Sequence, residues 1–199
     1  MKLVLASKNK KKLEEMREIL SALGVEVLSE AEAGVDVDVE ETGTTFAENA
    51  RLKAVAVMQA SGLPAIADDS GLCVDALNGA PGVYSARYGG EELDDAGRWQ
   101  LLLSAMRGQL DRRCGFVSAI CCAFPGGDEI SAQGECRGTV AYAPRGENGF
   151  GYDPIFFVPE KKKTFAELTP EEKHEISHRG KALREFKEKL ESYLHGTEQ

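Results

Sequence analysis

The sequence is defined first by what it lacks. No apolar stretch approaches the about 18 residues a membrane-spanning helix needs. The short run Leu3-Val4-Leu5-Ala6 is too brief for the apolar core of a signal peptide. Positive charge is in deficit: 24 Lys+Arg stand against 33 Asp+Glu, a net of −9 over 199 residues. Such a surface repels phosphate backbones, which argues against non-specific nucleic-acid binding. The five cysteines (Cys73, Cys114, Cys121, Cys122, Cys136) contain no C-x-x-C pair and are odd in number. We read them as reduced thiols, neither a zinc site nor a disulfide scaffold, in a cytoplasmic protein. There is no G-x-x-x-x-G-K-[ST] and no G-x-G-x-x-G after a strand, which disfavours P-loop ATPases and Rossmann dehydrogenases. Internal repeats and low-complexity linkers are missing too.

What is present suits one large domain or two small lobes, with enough chain to bury a core without staples. The charge is uneven. Residues 1–20 carry six basic and three acidic side chains, whereas residues 21–100 carry four basic and fifteen acidic. Strand 3–6, a helix carrying Leu13, Met16, Ile19, Leu20 and Leu23, and strand 25–28 give an α/β opening. Residues 30–43 read as loop with a short strand at most. Thr45-Phe46-Ala47-Glu48 matches a capping box and opens a helix to about Ala60, with Gly62 beyond. A strand over 64–67 ends at Asp68-Asp69. Residues 78–92 read as loop and 94–106 as helix. Glu91, Glu92, Asp94 and Asp95 read as a solvated face. The run 116–124 and strand-like pieces over 129–143, broken at Gly134 and Gly138, form a hairpin or meander. Strand 155–158 follows. Thr169-Pro170-x-Glu172 starts a helix, in which Gly180 is a mid-helix residue implying a break or a close approach. Leu183, Phe186, Leu190 and Tyr193/Leu194 share the face of the closing helix. The fold expected is a mixed central sheet flanked by helices in two lobes, with a cleft between them as the ligand site.

Five constellations carry chemistry. Ser7-Lys8-Asn9-Lys10-Lys11-Lys12 lies between a strand end and a helix start, where N–H groups and lysines can meet an anion or simply form a capped basic turn. Glu40-Glu41-Thr42-Gly43 precedes Glu48, Asn49 and Lys53; Asn49 and Lys53 are four apart on one helix face. Asp68-Asp69-Ser70-Gly71 places paired acids after an apolar strand, where they need a cation, donors or solvent. Gly149-Phe150-Gly151-Tyr152-Asp153-Pro154 lets backbone approach a planar ring, or is a plugged turn. Lys173 and Ser177-His178-Arg179-Gly180 offer donors.

Taken in order, S-x-N-x-x-K, E-x-T-G-x-T-F-x-E-N-A, A-D-D-S-G-L, A-P-G-x-Y-S-A-R-Y, F-G-Y-D-P-I-F and S-H-R-G resemble the inosine triphosphate pyrophosphatase family from Leu3 to about Leu190. That resemblance implies a single 1–199 domain of two lobes with an elongated mixed sheet. It implies Mg²⁺-dependent hydrolysis of nonstandard purine nucleoside triphosphates (ITP, dITP, XTP) to monophosphate and pyrophosphate, by a homodimer bound to neither membrane nor nucleic acid. Ser7, Lys8, Asn9, Lys10, Lys11 and Lys12 match the triphosphate-holding segment. Glu40 and Asp69 resemble the metal-site acids, with Glu41 and Asp68 beside them; the expected metal set is Glu40, Asp68 and Asp69. Asp69 matches the proton acceptor, and Lys12 and Lys53 are assigned to stabilising the phosphoryl transition state. Ser70, Phe150, Gly151, Tyr152, Asp153, Lys173, His178 and Arg179 match substrate-binding positions. Lys8 departs from the family, where many members have Gly. Two other readings compete: a related pyrophosphatase preferring pyrimidine or modified bases, and a nucleotide-binding module without activity. An acidic interaction protein would account for the charge but not for the Gly-rich motifs.

Overall fold

The computed structural model describes residues 1–196. Hydrogen-bonded strand order is β2-β1-β3-β4-β5-β6-β7 in one seven-stranded mixed sheet. The strands are β1 (Lys2–Leu5), β2 (Glu26–Ser29), β3 (Ala65–Val74), β4 (Arg113–Ala123), β5 (Glu129–Val140), β6 (Phe156–Val158) and β7 (Lys163–Thr164). The helices are α1 (Lys10–Ser21), α2 (Phe46–Ser61), α3 (Asp95–Ala105), α4 (Pro170–Ile176) and α5 (His178–Gly196). β1 runs parallel to β2 and β3, while β6 is antiparallel to β5 and β7.

The chain forms two compact units. The first comprises Met1–Asp69, Ser118–Gln133 and the chain from Ala182; the second comprises Ser70–Val117 and Gly134–Lys181. In the first unit, strand alternation sends successive side chains to opposite faces. Leu3, Leu5, Ile66, Ile120 and Cys122 pack with Met16 and Leu20 of α1 and Leu183, Phe186 and Leu190 of α5. Val4, Ala6, Ala65, Ala67, Cys121 and Ala123 pack under Ala50, Ala54 and Val57 of α2. Small residues on that second face let α2 lie close to the strands. The second unit has its own core, built from Leu72, Leu102, Phe116, Phe156, Phe165 and their neighbours.

The α2 capping box forms as expected, and Gly62 closes the helix in the left-handed conformation at φ 67°. Four expectations need correction. β3 does not end at Asp68-Asp69 but runs through them to Val74, because Leu72 and Val74 have a second core to enter. β5 is one continuous strand. At Gly138 a side chain would meet the Phe157 carbonyl oxygen at 2.5 Å, so that glycine answers a close neighbouring strand rather than a break. β6 starts at Phe156, since Ile155 belongs to the 3₁₀ turn Asp153–Ile155. The break that Gly180 implied is present at Ser177, but it places Gly180 in the first turn of α5 rather than mid-helix. α4 stops at Ile176, and Ser177 caps α5 by accepting the Gly180 N–H at 3.1 Å. Residues 30–43 contain no strand.

All five cysteines are free. Burial pushes the thiols of Cys114 and Cys121 up to about 12 and about 11, and it also raises Cys73, Cys122 and Cys136. Since the thiolate is the reactive form, only the half-buried Cys73 should react with a disulfide dye within minutes at pH 8, and all five should react in guanidinium. Rapid titration of three or more thiols in the native protein would contradict this packing.

Candidate active site

In the first unit, the segment after β1 is organised by its own side chains. Ser7 Oγ accepts the Asn9 N–H at 3.2 Å, and Asn9 Oδ1 accepts the N–H groups of Lys11 and Lys12 at 3.0 and 3.3 Å. Asn9 is therefore the N-cap of α1. The remaining N–H groups of that first turn and the exposed Lys10 and Lys11 stay on its positive end. Lys8, the departure from the family, pairs with Asp36 at 2.9 Å on the surface, a contact worth little in water.

Lys12 and Lys53 converge on the two adjacent acids of β3 from different helices. Lys12 Nζ of α1 donates to Asp68 Oδ1 at 2.9 Å, and Lys53 Nζ of α2 donates to Asp69 Oδ1 at 3.3 Å. The pairing follows from the strand period. Asp68 shares the parity of Ile66, on the α1 side, and Asp69 that of Ala65 and Ala67, on the α2 side. The two carboxylates thus occupy opposite faces of the sheet rather than one double site.

Lys53 also binds Glu41 at 2.8 Å. The loop carrying Glu41 is pinned because the Gly43 N–H donates to the fully buried Asn49 at 2.8 Å. A side chain on Gly43 would meet Asn49 Oδ1 at 2.6 Å, so the E-x-T-G motif needs a glycine for this approach. Glu40 is exposed, and of the two neighbours Glu41 is the one turned onto Lys53. Burial lifts the Asp69 carboxyl above its usual range, with Lys53 pulling it back only in part. Burial works against the Lys53 ammonium, but Asp69 and Glu41 outweigh it and hold it above the ordinary lysine value.

The Oδ2 atom of Asp69 is buried without a hydrogen-bond partner among the described residues. Lys53 and the buried Asn49 amide ease the charge of this carboxylate only in part, and a cation or a proton would relieve the rest. Among the described residues no three His, Cys, Asp or Glu side chains form a ready-made cage. Mg²⁺ does not require one, since it takes one or two carboxylates and completes its shell with water and phosphate oxygens. The residues present fit that ion.

The second unit holds the remaining candidates. Ser70 follows Asp69 on β3 and is half-buried. Lys173 Nζ of α4 donates to the buried Asp153 at 2.5 Å. Burial raises Asp153, and the Lys173 ammonium opposes that. Asp153 Oδ2 also accepts the Phe150 N–H at 3.1 Å. Gly149 and Gly151 take φ of 75° and 61°, which folds the loop around Asp153. Phe150 remains 45% exposed, with Lys173 Nζ 5.0 Å and Arg179 Cζ 5.6 Å from its ring centre. A half-open aromatic face beside two cations can receive a planar ring. His178 and Arg179 open the first turn of α5, and the buried His178 ring lies 4.7 Å from Phe116 at an interplanar angle of 12°.

Residues outside the expected set also shape this unit. Asp94 caps α3 through the Gly97 N–H at 2.7 Å, and Asp95 accepts the Gly151 N–H at 2.8 Å. Both acids are exposed, as the reading of a solvated face expects, and each adds one contact to a backbone N–H. Ser85 is buried. Its Oγ accepts the Leu72 N–H at 2.9 Å, and its carbonyl accepts the Tyr152 hydroxyl at 2.7 Å. The A-P-G-x-Y-S motif was the available signal for Ser85. Asp95 had none, because its partner is a backbone group 56 residues away.

A small α/β protein with two lysine–carboxylate pairs on adjacent strand positions, and an aromatic loop flanked by cations, has the parts for a charged ligand carrying a planar ring. Comparison with known proteins agrees with that class. Residues 3–189 match the model of the Ham1 family. The dITP/XTP pyrophosphatase of Gloeobacter violaceus is 54% identical over 92% of this chain and 91% of its own. That of Haemophilus influenzae is 52% identical over 95% and 98%. Among solved structures, the Ham1 protein of Staphylococcus aureus superposes with a TM-score of 0.89 at 43% identity, over 99% of this chain and 100% of its own. That of Coxiella burnetii gives 0.90 at 46%, over 98% and 99%. This chain belongs to the Ham1 family.

Proposed function

We propose that this Ham1-family nucleoside triphosphate pyrophosphatase hydrolyses dITP, XTP and ITP to the nucleoside monophosphate and pyrophosphate, with Mg²⁺, in the cytoplasm, as one domain of two units and as a homodimer. The observation that carries the reading is Asp69: a buried carboxylate with one oxygen on Lys53 and the other unpartnered among the described residues. The names of the relatives supply the substrate class. Free thiols support a reducing compartment, and among the described residues no helix is long and apolar enough to cross a membrane.

Asp69, with Glu40 or Glu41, would hold Mg²⁺, which when bound supplies charge neutralisation at the phosphate oxygens; Asp68, expected in that set, lies on the α1 face of the strand with Lys12 and is left out of it. Asp69 takes a proton from water as its oxygen attacks the α-phosphorus. The bond from that phosphorus to the bridging oxygen breaks, and pyrophosphate leaves with the oxygen. Ser7 to Lys12 hold the triphosphate. Lys12 and Lys53, already placed beside carboxylates, stabilise the negative charge that develops in the transition state.

Ser70 and the second unit's Phe150, Gly151, Tyr152, Asp153, Lys173, His178 and Arg179 bind the nucleoside. A 6-keto purine accepts from Lys173, His178 and Arg179, whereas adenine presents a 6-amino donor and leaves such donors unpaired. Sites of this kind discriminate by roughly 10⁴-fold or more. Turnover of dITP, XTP and ITP should exceed that of ATP, UTP and dTTP. Equal or faster turnover of dTTP or UTP would move the protein to the pyrimidine class, and no turnover of any would make it a binding module.

A further inference from the structure

His178 has been assigned to base recognition above, and the following rests on that reading. Its ring needs a fixed plane if it is to donate to a base, because a donor's direction follows the plane of the imidazole. His178 sits on the first turn of α5, where Ser177 caps the helix and fixes the backbone but not the ring. The ring itself meets an aromatic floor. Phe116 of β4 lies parallel to it within 12° at 4.7 Å between centres. Phe165 lies parallel to Phe116 within 1° at 5.7 Å, and Phe156 tilts against both. Lys173 Nζ stands 5.4 Å above Phe165. One buried aromatic cluster therefore underlies two of the three donors assigned to the base.

We propose that Phe116 is a positioning residue for base recognition: its ring fixes the plane of the His178 imidazole, and so the direction in which His178 donates to the substrate's base. No contact between Phe116 and substrate is required. Phe116 is chosen over Phe165 because it is nearer to His178, at 4.7 against 6.4 Å, in an almost equally parallel arrangement. The sequence motifs did not include it, since Phe116 looks like any other apolar strand residue.

The test uses the full-length protein with Phe116→Leu, Phe116→Tyr, His178→Ala and the Phe116→Leu/His178→Ala double variant. Phe116→Met, which keeps an unbranched apolar filler, replaces Leu if the leucine variant does not fold. Aromatic pairs of this kind are worth enough to change a binding constant by about 2- to 12-fold. Phe116→Leu should therefore raise KM for ITP by about that factor with kcat little changed, and lower the ITP-to-ATP preference. Phe116→Tyr should retain both. The double variant should match His178→Ala alone. In proton NMR, the His178 ring C–H signals should move downfield in Phe116→Leu as the ring current is lost.

An equal loss toward ITP and ATP, or additive losses in the double variant, would overturn the proposal. Unmoved His178 signals would overturn it as well, while leaving the base-recognition role intact. A His178→Ala enzyme with unchanged ITP preference would instead remove the underlying reading, and the proposal with it.

Discussion

Asp69→Asn is expected to lower kcat for ITP hydrolysis by about 10²- to 10⁴-fold, the range that a positioned proton acceptor contributes. The change keeps the shape of the side chain and removes its charge. The reason for so large an effect lies in the geometry. Asp69 sits on the α2 face of β3, buried, with Oδ1 on Lys53 and Oδ2 unpartnered among the described residues. An amide there cannot take the proton and offers a cation no negative charge. The fold should survive, since Lys53 keeps Glu41 as a partner at 2.8 Å. Thermal unfolding followed beside steady-state kinetics separates the two effects. Near wild-type turnover by a well-folded Asp69→Asn protein would remove Asp69 from the chemistry.

The second large effect concerns Lys173. Lys173→Met should destabilise the protein by about 3–5 kcal/mol, because it leaves the buried Asp153 carboxylate without its cation. Asp153 then retains the Phe150 N–H as a donor. A Lys173→Met/Asp153→Asn double variant removes both charges and should recover most of the loss. It should not recover the preference for ITP over ATP, because the donor assigned to the base stays missing. Denaturant titration of both variants checks the stability claim. Additive losses in the double variant would show that the pair is not coupled.

Much of this was legible in the sequence, for reasons that differ by element. α2 carried both its capping box and its stop glycine locally, so its bounds were readable within a residue of Phe46–Ser61. The family motifs were equally local. Ser7, Asn9 and Lys12 fall on a strand-to-helix turn, and Asn9 acts there as the cap that its type suggested. The misreadings share a cause, which is tertiary context. β3 continues past two acids because each acid finds a lysine from a different helix, and no window of sequence contains Lys12, Lys53, Asp68 and Asp69 together. Gly138 looked like a break because its reason, the Phe157 carbonyl, lies on another strand. Asp95 is solvated as read, but its contact with Gly151 was not legible, because a backbone N–H has no sequence signature. The choice between Glu40 and Glu41 was open in the sequence, and the contact with Lys53 belongs to Glu41.

Some of the acids behind the opening charge deficit are not free on the surface. Asp68, Asp69 and Glu41 are acids held by lysines at close range. Ammonium groups thus stand against the buried acids, and under the proposed function these are the groups that would meet a triphosphate with its cation.

The most direct measurement is the stoichiometry of phosphate release from ITP with Mg²⁺, with and without added inorganic pyrophosphatase. No orthophosphate is expected from the protein alone and two per ITP when the coupling enzyme is present, with ATP turned over far more slowly. One orthophosphate per ITP without the coupling enzyme would place cleavage at the γ-phosphate and contradict the account.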